Sequence, residues 1–271
     1  MKKEFWVCAA LFVLCPAAWA EQVIVEKQIQ ETPVFAAPAE EKVFVSSFYE
    51  YSWIKQGGRH IQWKTSRNRI AWLKDGLHLP YLEVTRYERA GTVDYTFNLG
   101  GMLRLDADSL LRAEIGFGDD VDFVYRREYS AGYERRWLKN LFWSFDIKYL
   151  DYPENDVAIG SPGLIWYFDN HYISASYNVS STESRGVAQW GIFKGNFYLH
   201  KRLDIWMGAA IGERLYDIFL LDASEQYGYI LFAGLTFKVR ENIDLRFGGS
   251  YSMEKPSFIN RGVNTQLTVR F

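Results

Sequence analysis

The chain has 271 residues, with 31 basic and 33 acidic side chains and a formal net charge of −2. That balance gives no electrostatic reason to expect nucleic acid as a partner. Phe, Trp and Tyr make up 17% of the residues beside 21 Gly and only 7 Pro, yet no apolar run approaches the roughly 20 residues of a membrane-spanning helix.

Lys2 and Lys3 precede a mainly apolar run from Phe5 to Leu14, and Ala18-Trp19-Ala20 closes it. This is the form of an export signal, with cleavage expected after Ala20. A lipoprotein reading at Cys15 is disfavoured by the bulky Leu14 before it. Both cysteines, Cys8 and Cys15, fall inside residues 1–20, so the mature chain is expected to hold no disulfide and no thiolate metal site. Residues 21–42 are rich in Glu, Gln and Ala without a sustained period, and are expected to form a flexible periplasmic leader.

From Val43 to Phe271 the sequence becomes a series of segments in which apolar and polar residues alternate. Leu141, Trp143, Phe145, Ile147 and Tyr149 take one phase, and Ser144, Asp146 and Lys148 the other. Tyr229 to Val239 and Ile243 to Tyr251 repeat the pattern. Period two is the strand period, and about ten residues per segment suits a transmembrane barrel. We count fourteen segments: 43–54, 62–73, 79–89, 93–105, 108–117, 122–137, 141–151, 157–168, 171–181, 186–199, 203–213, 226–239, 243–253 and 260–271. The expectation is an all-β, antiparallel transmembrane barrel with both termini in the periplasm. Twelve strands is the fallback, because Arg67, Arg69, Arg86 and Arg89 blur the second and third segments. Short breaks at 106–107, 138–140, 169–170, 200–202 and 240–242 alternate with mostly longer ones, as expected of periplasmic turns and outer loops. No outer loop has the length of a porin constriction loop.

With the phase set this way, the lumen is expected to receive Arg104, Arg112, Glu114, Arg126, Glu128, Glu134, Arg136, Asp146, Lys148, Asp204, Lys238, Arg240, Asp244, Arg246 and Arg270. Arg or Lys facing hydrocarbon costs roughly 2–4 kcal/mol near the midplane, so the charges belong inside. Mixed signs suit either a salt-bridged filling or a polar pore. Trp137, Trp143, Trp166, Tyr149 and Tyr251 read as interfacial girdle residues. Trp206, Phe232 and Tyr198 take the inward phase and are the aromatics with a claim to glycan contact. The last segment carries Leu267, Val269 and Phe271 on one face, the amphipathic terminal strand expected of a substrate for the barrel-assembly machinery.

Little here points to chemistry. Of His60, His78, His171 and His200, only His60 falls in an outer loop, and no spaced nucleophile or acid accompanies it. Asp119, Asp120 and Asp122, and likewise Asp151 to Asp156, read as solvated acidic loops rather than cation sites, since the Gly-turned calcium loop is missing. No enzyme, cofactor or metal is expected. The expected surroundings are outer-membrane lipid and lipopolysaccharide, with a glycan or small polar solute as cargo if the lumen conducts. A monomer is expected.

The order of short motifs from 48 to 271 resembles the YaiO family of outer-membrane β-barrel proteins. The resemblance rests on Tyr49-Glu50-Tyr51-Ser52, Arg86-Tyr87-Glu88-Arg89-Ala90-Gly91 and Ser130-Ala131-Gly132-Tyr133-Glu134-Arg135. Tyr149-Leu150-Asp151-Tyr152-Pro153, Ser161-Pro162-Gly163-Leu164, Trp166-Tyr167-Phe168 and the terminal Phe271 continue it. Ser161 stands where the pattern favours Thr. The resemblance implies an outer-membrane barrel associated with envelope polysaccharide export, and it supplies no catalytic residues.

Overall fold

The computed structural model describes residues 42–271 apart from 57, 75–76, 120, 154, 183–185, 214–226 and 255–257. The expected signal, the leader up to residue 41 and the whole 214–225 loop therefore lie outside the described residues. Fourteen strands follow in chain order. They are β1 (Lys42–Gln56), β2 (Arg59–Lys74), β3 (Leu77–Arg89), β4 (Thr92–Arg104), β5 (Ser109–Asp119), β6 (Arg127–Leu138) and β7 (Leu141–Asp151). β8 (Asp156–Phe168), β9 (His171–Thr182), β10 (Gly186–His200), β11 (Leu203–Glu213), β12 (Tyr227–Arg240), β13 (Ile243–Glu254) and β14 (Phe258–Arg270) complete the set.

Each strand pairs antiparallel with its neighbours in sequence, and β1 pairs with β14 to close the barrel. Closure leaves no unpaired edge, which is what a sheet immersed in lipid requires. The seam is completed at its lower end, where the Phe271 amide donates to the Val43 carbonyl at 2.8 Å and the Val43 amide to the Phe271 carbonyl at 3.3 Å. An even strand number puts both ends of the barrel on the side of the short turns.

Alternation decides which residues see lipid. On β7, Trp143, Phe145, Ile147 and Tyr149 are exposed, while Phe142, Ser144 and Leu150 are buried. The phase is as expected for β12 as well, where Leu231, Phe237 and Val239 point out and Ile230 and Phe232 point in. Trp72, Trp137, Trp143 and Trp166 lie toward the short-turn end, and Trp53, Tyr95, Tyr129, Tyr149 and Tyr177 toward the other. These are the two girdles of a membrane barrel.

Two readings change. The second and third segments are regular strands, so the twelve-strand fallback is not adopted. Arg67 and Arg69 lie on the inward phase of β2 and are buried, whereas Arg86 lies on the outward phase of β3. Residues 122–126 are not strand: β6 begins at Arg127, and the segment before it turns into the barrel. Lys42, placed in the leader by the sequence, opens β1. The β3–β4 hairpin turns on Ala90 and Gly91, both at positive φ (51° and 92°). Paired positive φ is the two-residue turn that matches strand twist, and Gly91 adopts it without strain.

Candidate functional site: the lumen

On the β2–β6 side the inward residues are mainly polar, and they neutralise one another. Glu83 of β3 is 1% exposed and sits opposite Arg69 in the β2–β3 register. Arg69 donates to its carboxylate at 2.8 Å, and Arg67 lies 3.5 Å from the other oxygen. The same guanidinium of Arg69 stacks 4.2 Å above the ring of Tyr81. Tyr81 in turn donates its hydroxyl to Glu114 on β5, whose second oxygen accepts from Asn98 Nδ2 at 2.8 Å. Charges buried in this way persist because each finds a partner and further hydrogen bonds.

Asn98 connects the network to the segment between β5 and β6. Its Oδ1 accepts from the Tyr125 hydroxyl at 3.0 Å. Val124 and Tyr125 are each 4% exposed, so the described part of this segment, residues 121–126, folds inward over the outer mouth. Asp94 on β4, 1% exposed, holds it: its carboxylate accepts the backbone N–H groups of Asp122, Phe123 and Val124 at 2.9–3.2 Å. Phe123 stacks on Arg89 (4.9 Å), which stacks on Trp63 (4.2 Å). No outer loop is expected to have the length of a porin constriction loop, and residues 122–126 are expected to be strand; they form instead a short loop that enters the lumen. A short loop does so because a carboxylate from another strand satisfies three amides that would otherwise need water.

The β8–β12 side is apolar in its outer half. Leu150, Val157, Ile159, Trp190, Ile192, Ala210, Ile230 and Phe232 form one buried cluster that Trp206 and Tyr125 join. Trp206 lies against glycines: a Cβ at Gly234 or Gly248 would come within 2.2–2.3 Å of its ring. Its other neighbour is Arg246, with the guanidinium 4.0 Å from the ring centroid. Phe232 likewise occupies the space that a side chain at Gly208 would need. The inward glycines set the depth to which these rings settle.

Between the two sides lies a polar cavity whose lining includes Arg112, Glu128, Asp146, Lys148, Tyr172 and Lys194, with several serines of β6 to β9. Arg112 pairs with Asp146 at 2.9 Å and Lys148 with Glu128 at 2.8 Å. Buried lumen-facing atoms such as Thr96 Oγ1, Asn178 Oδ1 and Ser180 Oγ have no protein partner among the described residues. Such groups cost about 1–3 kcal/mol each if left unhydrated, so water belongs beside them.

The expected lumen residues divide by height. Arg112, Glu114, Glu128, Glu134, Asp146, Lys148 and Arg246 lie within the barrel. Asp244 is buried and pairs with Arg270 near the short-turn end. Lys238 stands 3.9 Å from Asp204 and 5.0 Å from the centroid of the Tyr198 ring. Arg104, Arg136 and Arg240 keep the inward phase but are exposed at the short-turn mouth, where Arg136 pairs with Asp108 at 2.8 Å. Arg126 is a correction: it lies in the inward-folding loop, outside any strand, and is exposed. The sequence reading missed Glu50, Arg67, Arg69, Glu83 and Asp94, all buried. Their signal was available, since each holds the inward phase of its strand once the phase is fixed by Trp53, Ile70, Leu82 and Phe97 facing out.

The histidines do not converge. His60 lies exposed on the outward phase of β2, opposite Lys55. His171 accepts the Tyr198 amide at its Nδ1 (2.9 Å) beside a short turn. Of His78 the structure describes the backbone only. Leu267 and Phe271 are exposed and Val269 half-buried on the outer surface of the closing seam.

A closed, two-girdled, fourteen-stranded sheet with charges inside and rings outside defines the class: a bacterial outer-membrane β-barrel. The chain belongs to the YaiO membrane β-barrel family, whose model matches residues 43–214. No curated protein sequence matches it. Among solved structures it is similar to an outer-membrane channel of Pseudomonas putida F1 (TM-score 0.57, 9% identity, 89% of this chain and 99% of that one). It is also similar to the monoaromatic hydrocarbon channel CymD (TM-score 0.55, 8% identity, 86% and 89%) and to Omp33 of Acinetobacter baumannii (TM-score 0.52, 9% identity, 85% and 99%). At these identities the likeness is one of fold.

Proposed function

We propose that this barrel is a narrow, normally closed passage for a small polar solute across the outer membrane, with no catalytic step. The observation that carries the reading is the cavity between Arg112–Asp146 and Lys148–Glu128. It is lined by both charge signs and by serines, and the loop at the outer mouth of the barrel is held through one carboxylate. Paired charges of both signs present hydrogen-bonding groups to a polar solute without selecting strongly for cation or anion. Envelope polysaccharide, the other cargo suggested by the family resemblance, would have to displace the cluster around Trp190 as well as the loop. A small solute makes the lesser demand on that packing. On this reading the chain is exported with cleavage after Ala20, works as a monomer, and is assembled through the Leu267, Val269 and Phe271 face.

One observation favours a second reading, a plugged scaffold. The buried network of Arg67, Arg69, Glu83, Tyr81, Glu114 and Asn98 fills its side of the lumen, and the loop's Tyr125 hydroxyl is tied into it at Asn98. Planar-bilayer recording separates the two. The wild-type barrel should show rare, brief openings. Asp94→Ala, which frees the amides of Asp122, Phe123 and Val124, should lengthen them into stable single-channel steps. Silence from both proteins, with folding verified by heat-modifiable electrophoretic mobility, would sink the passage and leave the scaffold.

A further inference from the structure

The outer ends of the strands carry charge on the lipid-facing phase, and that charge is polarised around the rim. On contiguous β14, β1, β2 and β3 the outward residues include Arg261, Lys55, Lys64 and Arg86, with Glu88 as the one acid among the described residues. On β5 to β11 the outward residues at the same end are Asp119, Arg127, Asp151, Asp156 and Glu213, four acids and one base. Among the described outward strand residues, one face of the outer rim therefore holds a net charge of about +3 and the far side about −3 by formal side-chain charge.

The cationic face is organised. Glu88 accepts from Lys64 Nζ at 2.6 Å and from Arg86 Nη2 at 2.9 Å, holding two cations side by side on neighbouring strands. Register places Lys64 opposite Tyr51, Arg86 opposite Tyr95 and Arg261 opposite Trp53. Tyr51 and Trp53 meet edge to face at 4.5 Å, and Arg261 lies 6.0 Å from the centroid of the Tyr251 ring. The cations thus stand in the outer aromatic girdle, at the level where hydrocarbon gives way to headgroups. β1 and β2 run to 15 and 16 residues, longer than the 9–11 needed to cross. Their upper ends therefore project into the headgroup layer, and long Lys and Arg stems reach it readily.

We propose that the outward face of β14–β1–β2–β3 is a binding site for the phosphorylated headgroup of an outer-leaflet lipid, the glucosamine phosphates of lipid A. Four cations set against one carboxylate at headgroup depth call for a multivalent anion. Aromatic rings between them supply flat surfaces for sugar and acyl-chain contact. Lys64 and Arg86 take one phosphate in place of the Glu88 carboxylate that they now hold. Arg261 and Lys55 take a second from the adjoining strands.

The test is an equilibrium titration of diphosphoryl lipid A into the folded barrel in detergent, with heat-modifiable mobility as the check on folding. Lys64→Ala/Arg86→Ala/Arg261→Ala should weaken binding at least tenfold. Lipid A stripped of both phosphates should bind the wild type about as weakly. Glu88→Gln, which removes the one acid among the described residues of this face, should tighten binding severalfold. Equal affinity of the triple variant and the wild type would overturn the site, as would equal affinity for the phosphate-free lipid or weaker binding by Glu88→Gln. Displacement of lipid A by millimolar inorganic pyrophosphate would show a site for free phosphate and overturn the assignment to lipid.

Discussion

Between β2 and β6 the lumen is filled by charges that meet in pairs, and between β8 and β12 by rings and aliphatic chains lying on glycine. Both sides bury side chains almost completely: Glu83 is 1% exposed and so is Trp190. They reach that state by different physics. On the charged side, each group has been taken from water at a cost of several kcal/mol and holds because a partner replaces the lost hydration. On the apolar side, burial is favourable group by group, and only the fit of the rings is demanding. The charged side should thus be fragile to single deletions and tolerant of wholesale replacement. The apolar side should show the opposite behaviour.

The largest expected effect follows from that contrast. Glu83→Ala leaves Arg67 and Arg69 without their shared carboxylate and should cost about 3–5 kcal/mol, the usual price of an uncompensated buried charge. Replacing all three residues by Met or Leu of similar bulk should cost far less, because no charge remains to be solvated. Urea-induced unfolding in detergent, followed by heat-modifiable mobility, gives both values. If the single and triple variants lose equal stability, the charged side is not a mutually dependent unit and the contrast fails.

The apolar side is sharpened by adjacent glycines of opposite phase. At Gly248 a Cβ would lie 2.3 Å from the Trp206 ring, whereas at Gly249, which faces lipid, it meets only the Gly262 carbonyl at 3.4 Å. Gly248→Val should therefore destabilise by about 1–3 kcal/mol through overpacking and change the near-ultraviolet circular dichroism as Trp206 is displaced. Gly249→Ala should lie within about 0.5 kcal/mol of wild type. Equal losses at the two positions would mean that Trp206 does not rest on this wall.

These contrasts also show what a sequence carries. Period-two alternation fixed the lipid phase of β7, β12 and β13, and the short turns fixed the parity, because both are local properties of the chain. It did not tell which charges would meet. Arg69 and Glu83 become partners through the β2–β3 register, which depends on where the hairpin turns and not on the composition of either strand. The loop was missed for a related reason. Val121, Phe123 and Tyr125 alternate with Asp122 and Val124 much as a strand start does. What bends the segment inward is Asp94, 28 to 30 residues earlier, reached only once β4 stands beside it. Arg67 and Arg69 obscured β2 because two arginines in one strand look like an aqueous face until the lumen is known to contain their counter-charge.

The smallest expected effect lies outside both halves, at the short turn between β4 and β5, and gives the scale for a charge that is partnered but not buried. Asp106 accepts the Asp108 backbone N–H at 2.7 Å. That bond, first among the causes, holds the carboxyl below its ordinary range, with Ser109 and Arg135 adding to it. A carboxylate with a depressed pKa in the folded state adds stability above its unfolded pKa, about 4, and loses it as pH falls through the folded value. Asp106→Asn should therefore leave unfolding at pH 7 slightly easier and converge with wild type once pH has fallen through the lowered folded value. A urea midpoint series across pH 2–7 checks the convergence. A difference that grows toward acid would show that the charge at 106 opposes the turn rather than supports it, because protonating the wild-type carboxyl would then relieve repulsion instead of breaking a bond.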